Sequence, residues 1–411
     1  MAHTAAHLVD RVFPAVPVRQ WVLSLPFALR YRMTYDSRLT NDVLNVFIRA
    51  VFGELRRRAL ELLNVRSSQC GAVTFVQRFG DALNANPHFH SLVIDGVYVG
   101  GDDGPPRFHQ LPAPEDEDVL RLVTLVGERI QSLLKRRGLA ADTDRQDMDP
   151  LSREDPGMAD LVVNSVSRRV AVGPHAGSRV VRLGDQIDGD TMDGFQSPRC
   201  AMVSGFSVHA NVCIEGRDRL RLERLSRYAS RPAVATERLT KLPDGRLLYR
   251  LKRPWRDGTT AVIFEPQDFM AKLAVLVPAP RSHLTRYHGV LAPAAAWRSR
   301  IVPTAAAHAG YIGFGMVSSS QMPTISSVDH EPVPDTPSSI RHRNYTWAEL
   351  MKRVFLVDVL QCERCGGRMR MLAVIHSPEI VKKILTCLGL PSRAPPQAPA
   401  VSDFTTFPDP F

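Results

Sequence analysis

The run QWVLSLP (20–26) is continuously apolar apart from two polar positions and is closed by Pro26, the pattern of a buried strand. From Thr40 to Asn64, Leu44, Phe47, Ile48, Val51, Phe52, Leu55, Leu62 and Leu63 recur at helical spacing, with Thr40 or Asp42 as the expected cap. GAVTFVQRF (71–79) and HFHSLVIDGVYV (88–99) are β-rich, and the turn-prone stretch DALNANP between them predicts a hairpin. A second amphipathic helix is expected over Glu115–Arg137, acidic at its start and closing on Lys135-Arg136-Arg137, as the helix dipole prefers.

Residues 139–160, rich in Asp, Pro and Gly, read as an exposed loop. GFSVHANVCIE (205–215) returns to strand, and a basic helix follows over Asp218–Ala229, ending before Pro232. Two hairpins are expected next, turning at Pro243-Asp244-Gly245 and Asp257-Gly258. Residues 317–345 are Ser/Pro-rich and aperiodic, a linker by composition, and the Pro-rich tail beyond Leu390 reads as disordered. Between them Thr346-x-x-Glu349 is a capping box for a helix to about Leu360, CERCGGRMRM follows, and Ser377-Pro378 opens a last helix closed by Gly389. No internal repeat is visible.

Charge sharpens this picture. The 411 residues carry a formal net charge of +10, and 45 of the 52 basic residues are Arg. A planar guanidinium suits phosphate, so nucleic acid leads the candidate partners, although a GC-rich genome produces the same bias. No apolar run reaches the roughly 18 residues of a membrane span, and residues 1–19 lack a signal core, so a soluble cytoplasmic protein is expected. Six cysteines are too sparse for a disulfide scaffold, and Cys362-x-x-Cys365 is the one close pair.

Two features carry chemistry. In NPHFHSLVIDG (86–96), His88 and His90 lie two apart on a strand, project from one face and are able to share a divalent ion. In RLRLERLSRYASRP, Tyr228 shares a helix face with Arg224 and Leu225, and Arg221, Arg227 and Arg231 lie within two turns, a surround suited to phosphate and to a phenolate nucleophile. Cys362-x-x-Cys365-Gly366-Gly367 has the turn of a zinc knuckle, but a tetrahedral site needs four ligands and only His376 and Cys387 are near in sequence.

The segments QRFGDALNANPHFHSLVIDGVY, GFSVHANV, RLSRYASRPAVATERL, LPDGRLLYRLKRPWRDGTT, RYHGVLAP and CERCGG are similar, in order, to the rolling-circle insertion-sequence transposases of the two-tyrosine family, within the HUH (histidine–hydrophobe–histidine) single-strand nucleases. The resemblance runs over roughly residues 5–390 and implies DNA transposition by single-strand nicking and strand transfer through a 5′-phosphotyrosine at Tyr228. Arg224 stands where the pattern has a second tyrosine, so the chain resembles the single-tyrosine common-region branch. Relatives carry a Cys-rich zinc module ahead of the segment matching MAHTAAHLVD, and this chain is expected to lack it.

The expected fold class is α+β, an antiparallel-sheet HUH core flanked by helices, with β-hairpin additions and a small carboxyl-terminal zinc-knuckle-like module. The expected divisions are 1–138 (first part of the core), 139–204 (insertion), 205–316 (tyrosine helix and DNA-binding hairpins), 317–345 (linker), 346–390 (CxxC module) and 391–411 (tail). The resemblance implies His88 and His90 as ligands of Mg²⁺ or Mn²⁺ with a third ligand from elsewhere, for which Gln77 on the neighbouring strand comes first, His209 second and Asp81, in the turn, third, and zinc as a second metal at Cys362 and Cys365. It implies single-stranded DNA as partner, with contacts from Arg224, Arg227, Arg231, Lys252, Arg253 and Arg256, leaves room for a homodimer, and suggests a bacterial protein that joins the nucleoid when DNA-bound. The alternatives are a replication initiator or relaxase with the same nicking chemistry, and a catalytically inactive DNA-binding protein.

Overall fold

A computed structural model of the chain describes residues 1–100, 104–139, 149–184, 194–255, 257–303, 344–370 and 375–391. Arg256, the expected linker up to residue 343 and the tail from residue 392 lie outside the described residues.

The protein is a mixed α+β structure built on an antiparallel sheet. Its centre is β1 (Val18–Ser24), buried along its whole length, as its apolar run requires. On one side β1 pairs with β3 (Ala85–Ile94), then come β2 (Gly71–Phe79) and the edge strand β14 (Thr285–Gly289). On the other side it pairs first with β9 (Phe206–His209) and then with β10 (Cys213–Ile214), and β8 (Cys200–Val203) and β7 (Gly194–Ser197) complete the sheet. The expected strand 205–215 is therefore two short strands on the same neighbour. Gly289 ends β14 at φ +59°, where a Cβ would stand 1.9 Å from the Cys70 carbonyl oxygen, so only glycine fits this close approach.

The run 88–99 divides at Asp95. Arg19 grips that carboxylate with two hydrogen bonds of 2.9 and 2.6 Å, and the chain beyond it, β4 (Gly96–Val99), leaves the sheet to pair with β5 (Arg107–Gln110).

Alternation sorts the sheet's side chains onto two faces. Trp21, Leu23, Ala72, Val76, Phe89 and Val93 pack against α2 (Phe27–Tyr35), α3 (Ser37–Leu63) and α4 (Asp116–Arg136). Val18, Val73, Phe75, Leu92 and Ile94 pack on the other face against α1 (Ala2–Arg11) and α7 (Arg219–Ala229). His88 and His90 are in step with Leu92 and Ile94, so they belong to the α1/α7 face.

Two local expectations are corrected. The cap of α3 is Asp36, which accepts from the Leu39 N–H, rather than Thr40 or Asp42; Thr40 lies inside the helix and its hydroxyl donates to the Met33 and Asp36 carbonyls. Part of the expected loop 139–160 is helical, as α5 (Pro150–Glu154) and α6 (Pro156–Val166). The Asp-Pro pairs that read as loop serve as helix starts: Pro156 opens α6 and Asp155 caps it by accepting from the Met158 N–H.

A second sheet runs β11 (Leu239–Lys241), β12 (Leu247–Arg250), β13 (Thr259–Phe264), β6 (Val181–Gly184), all antiparallel. The two expected hairpins thus share β12. Tyr249, fully buried, joins this sheet to Ala82 and Leu83 in the turn between β2 and β3. Helix α8 (Pro266–Leu276) and the short α9 (Arg298–Ile301) follow, then α10 (Trp347–Phe355), opened by the Thr346/Glu349 capping box and stopped at Leu356 rather than 360, and α11 (Pro378–Cys387). Among the described residues no helix is long and apolar enough to cross a membrane.

Candidate active site

The rings of His88 and His90 face one another on β3, with their Nε2 atoms 3.1 Å apart. His88 Nδ1 lies 2.6 Å from the Asn86 carbonyl oxygen, which only accepts, so Nδ1 carries a proton and in the neutral ring Nε2 holds the lone pair. His90 Nδ1 lies 2.7 Å from Gln20 Nε2 on β1. With that amide nitrogen donating, His90 keeps its proton on Nε2 and directs it at the His88 lone pair. Half a turn of the Gln20 amide puts its oxygen on Nδ1 and frees the second Nε2 lone pair. Burial holds His90 well below the ordinary imidazole range, and the positive charge available at His88, Arg231 and His209 acts in the same direction, so the ring is neutral.

Of the three candidates for a further ligand, Gln77 stands directly opposite His88 in the β2–β3 register. Its Nε2 donates to the Ala229 carbonyl oxygen at 2.8 Å, and its Oε1 is buried without a hydrogen-bond partner among the described residues. His209 and His90 both pair with Val22, so they share a face but stand two strands apart, roughly 10 Å at ordinary strand spacing. Asp81 lies in the hairpin turn, where its charge acts on Arg168. Among the described residues no group of three or more His, Cys, Asp or Glu side chains is arranged to hold a metal. Among the described residues the Gln77 amide oxygen is the buried, unpartnered acceptor on this face next to His88.

Helix α7 brings Tyr228 to the same place. Asp218 caps it by accepting from the Arg221 N–H, and Leu222, Leu225 and Ala229 bury its inner face. The Tyr228 ring is 8% exposed and meets the His90 ring edge-on, centroids 6.1 Å apart. Arg231 stands 4.3 Å and the Lys252 ammonium 4.6 Å from the tyrosine ring centroid. The expected arginine surround is otherwise dispersed. Arg224 and Arg253 are exposed, and Arg227 is half-buried beside Glu223 and Arg353, its proton affinity lowered chiefly by burial. Lys252 reaches the ring from the connection between β12 and β13, a juxtaposition that spacing along the sequence does not signal.

Cys362 and Cys365 flank a tight turn in which the Cys362 N–H donates to Gly367 O at 2.9 Å and the Gly366 N–H to Cys362 O at 2.8 Å. The N–H groups of Cys365 and Arg364 favour the Cys362 thiolate and lower its pKa. Neither His376 nor Cys387 completes a four-ligand group, so the pair stands as a half-site among the described residues.

Comparison with known proteins adds a family. No curated protein and no solved structure gives a significant match to the chain. Residues 71–299 match the Y2_Tnp family model, described as a putative transposase. That span runs from β2 through His88, His90 and Tyr228 into α9 and covers more than half of the chain. The chain thus belongs to the Y2_Tnp transposase family.

Proposed function

We propose that the protein is an HUH-class single-strand DNA endonuclease and strand transferase that moves DNA by a rolling-circle route. The observation that supports this reading best is the meeting of Tyr228 with the His88/His90 pair, ring against ring at 6.1 Å, from a helix and a strand far apart in sequence. A buried phenol, two imidazoles with adjacent Nε2 atoms and an orphaned amide oxygen form a set suited to phosphoryl transfer.

Two imidazoles and the Gln77 oxygen suit a divalent cation such as Mg²⁺ or Mn²⁺, which when bound supplies charge neutralisation at the scissile phosphate. The chain's own part is the nucleophile and its setting. Tyr228 Oη gives its proton to solvent and attacks phosphorus, an O–P bond forms, the bond to the 3′-oxygen breaks, and that oxygen leaves as a hydroxyl after taking up a proton from solvent. The products are a 5′-phosphotyrosine and a free 3′-hydroxyl. One phosphodiester has replaced another, so a second strand's 3′-hydroxyl reverses the step without a nucleotide cofactor. With Arg224 in place of a second tyrosine, each site has one nucleophile in this helix, as in the single-tyrosine branch.

In this reading residues 1–138 and 205–316 form the HUH core and its DNA-binding hairpins, with 139–204 inserted between them. Arg224, Arg227, Arg231, Lys252 and Arg253 meet the DNA backbone, and Cys362 and Cys365 hold zinc together with ligands from elsewhere. The test is incubation with Mn²⁺ and single-stranded oligonucleotides tiled across the DNA flanking the coding sequence. A denaturant-stable protein–DNA adduct is expected from the wild type and none from Tyr228→Phe. An undiminished adduct in the Phe variant overturns the reading.

A further inference from the structure

The second sheet does more than extend the surface. Its β12–β13 connection carries Lys252, whose ammonium stands 4.6 Å from the Tyr228 ring centroid. This connection is held from several directions. The Leu251 N–H donates to Thr260 O at 2.9 Å and the Trp255 N–H to Thr259 O at 2.9 Å. The guanidinium of Arg168 stands 4.8 Å, and that of Arg182 5.1 Å, from the Trp255 ring centroid, and Arg182 also donates to Asp257 at 2.8 Å. Below it, the fully buried Tyr249 seats the sheet on the turn of the hairpin that carries His88 and His90. The position of Lys252 relative to Tyr228 is thus set by packing and needs no ligand to create it.

Resting on the assignment of Tyr228 as nucleophile, we propose that Lys252 is a further catalytic residue of the nicking step, supplied by the accessory sheet. A cation beside the attacking ring lies within reach of the phosphate that ring attacks. As negative charge builds on the non-bridging oxygens in the transition state, a pre-placed ammonium stabilises it more than it stabilises the ground state. The lysine acts through its charge, forms no bond and transfers no group. Arg231, on the same ring, follows α7 directly in the chain, whereas Lys252 makes assembly of the site depend on docking of a separate sheet.

The experiment separates rate from affinity. Single-turnover adduct formation is measured at saturating oligonucleotide, and affinity by fluorescence anisotropy in EDTA. Lys252→Met and Lys252→Gln are expected to slow the adduct step about 10²-fold, the scale of losing one pre-placed charge-stabilising group, with affinity within about threefold, since one contact among many is lost. Lys252→Arg is expected to recover most of the rate. Lys241→Met, which removes an exposed charge elsewhere on the same sheet, is expected to match the wild type. Thermal melts confirm folding, and the Gln variant, which keeps a polar side chain, serves if the Met variant does not fold. Wild-type rates in Lys252→Gln, or a loss wholly accounted for by weaker binding, overturn the proposal. Tyr228→Phe run alongside distinguishes the cases: an adduct that survives there removes the nucleophile assignment itself.

Discussion

Gln20 and His90 are joined by a 2.7 Å contact between the amide nitrogen and Nδ1, across the β1–β3 ladder at the centre of the main sheet. The amide sets which ring nitrogen of His90 faces His88, the role an outer partner would play if, as proposed, the histidines hold a cation. Gln20→Met preserves volume and leaves the β1 register to the backbone. It is expected to fold and to need about 10–100-fold more Mn²⁺ for half-maximal adduct formation. A wild-type Mn²⁺ profile would remove this role from Gln20.

Under the proposed function, His88→Ala and His90→Ala are each expected to abolish adduct formation while single-strand affinity persists, because affinity would then rest on many arginine–phosphate contacts. Gln77→Ala is expected to weaken Mn²⁺ binding to the protein alone, read by calorimetry, more than His209→Ala does. Gln77 lies opposite His88, whereas His209 stands beyond β1. Equal Mn²⁺ affinity in Gln77→Ala and wild type would exclude the amide oxygen as a ligand.

His288, on edge strand β14, is held down to about 4 by burial and by the neighbouring Arg286 charge. Its folded pKa is below the unfolded value, so the folded state prefers the neutral ring. The associated stability is present above about pH 6.5 and is lost as pH falls towards 4, by up to roughly 3 kcal/mol. His90 shifts in the same direction. Chemical denaturation at pH 7 and pH 4.5 checks this: His288→Phe should lose less stability between the two conditions than the wild type. An identical loss would assign the acid sensitivity elsewhere.

Arg353 of α10 ties three helices together. It donates to Glu223 of α7 at 2.5 Å and to both Asp10 oxygens of α1 at 2.5 and 2.7 Å. Glu223 is 2% exposed, so removing the guanidinium strands a buried carboxylate on the helix that carries Tyr228. Arg353→Met is expected to cost about 3 kcal/mol in a urea melt. Adding Glu223→Gln should restore part of it, since the orphaned charge is gone. A double variant no more stable than the single would show that the cost lies in packing.

Much of this architecture is local and therefore legible in the chain. The apolar run of β1, the 3.6-residue rhythm of α3 and α4, the Asp218 cap of α7 and the hairpin around DALNANP each arise from neighbours within about 20 residues. The facing of His88 and His90 follows from strand alternation alone. The helices that replace part of the expected loop 139–160 were not legible locally, because Asp-Pro signals a helix start as well as a loop and the burial of Val162 and Val166 against the distant Ala85, Val275 and Leu276 favours the helix. Other relationships depended on packing between distant segments. Which face of the sheet α7 covers, and hence whether Tyr228 meets His90, depends on where Leu222, Leu225 and Ala229 find apolar partners on β2 and β3. Lys252 beside the tyrosine, Gln20 behind His90 and Arg353 on Glu223 join segments whose separation no periodic pattern encodes. The residue types were written in the sequence; their convergence came from burying two opposite faces of one sheet, a constraint satisfied only by the whole fold.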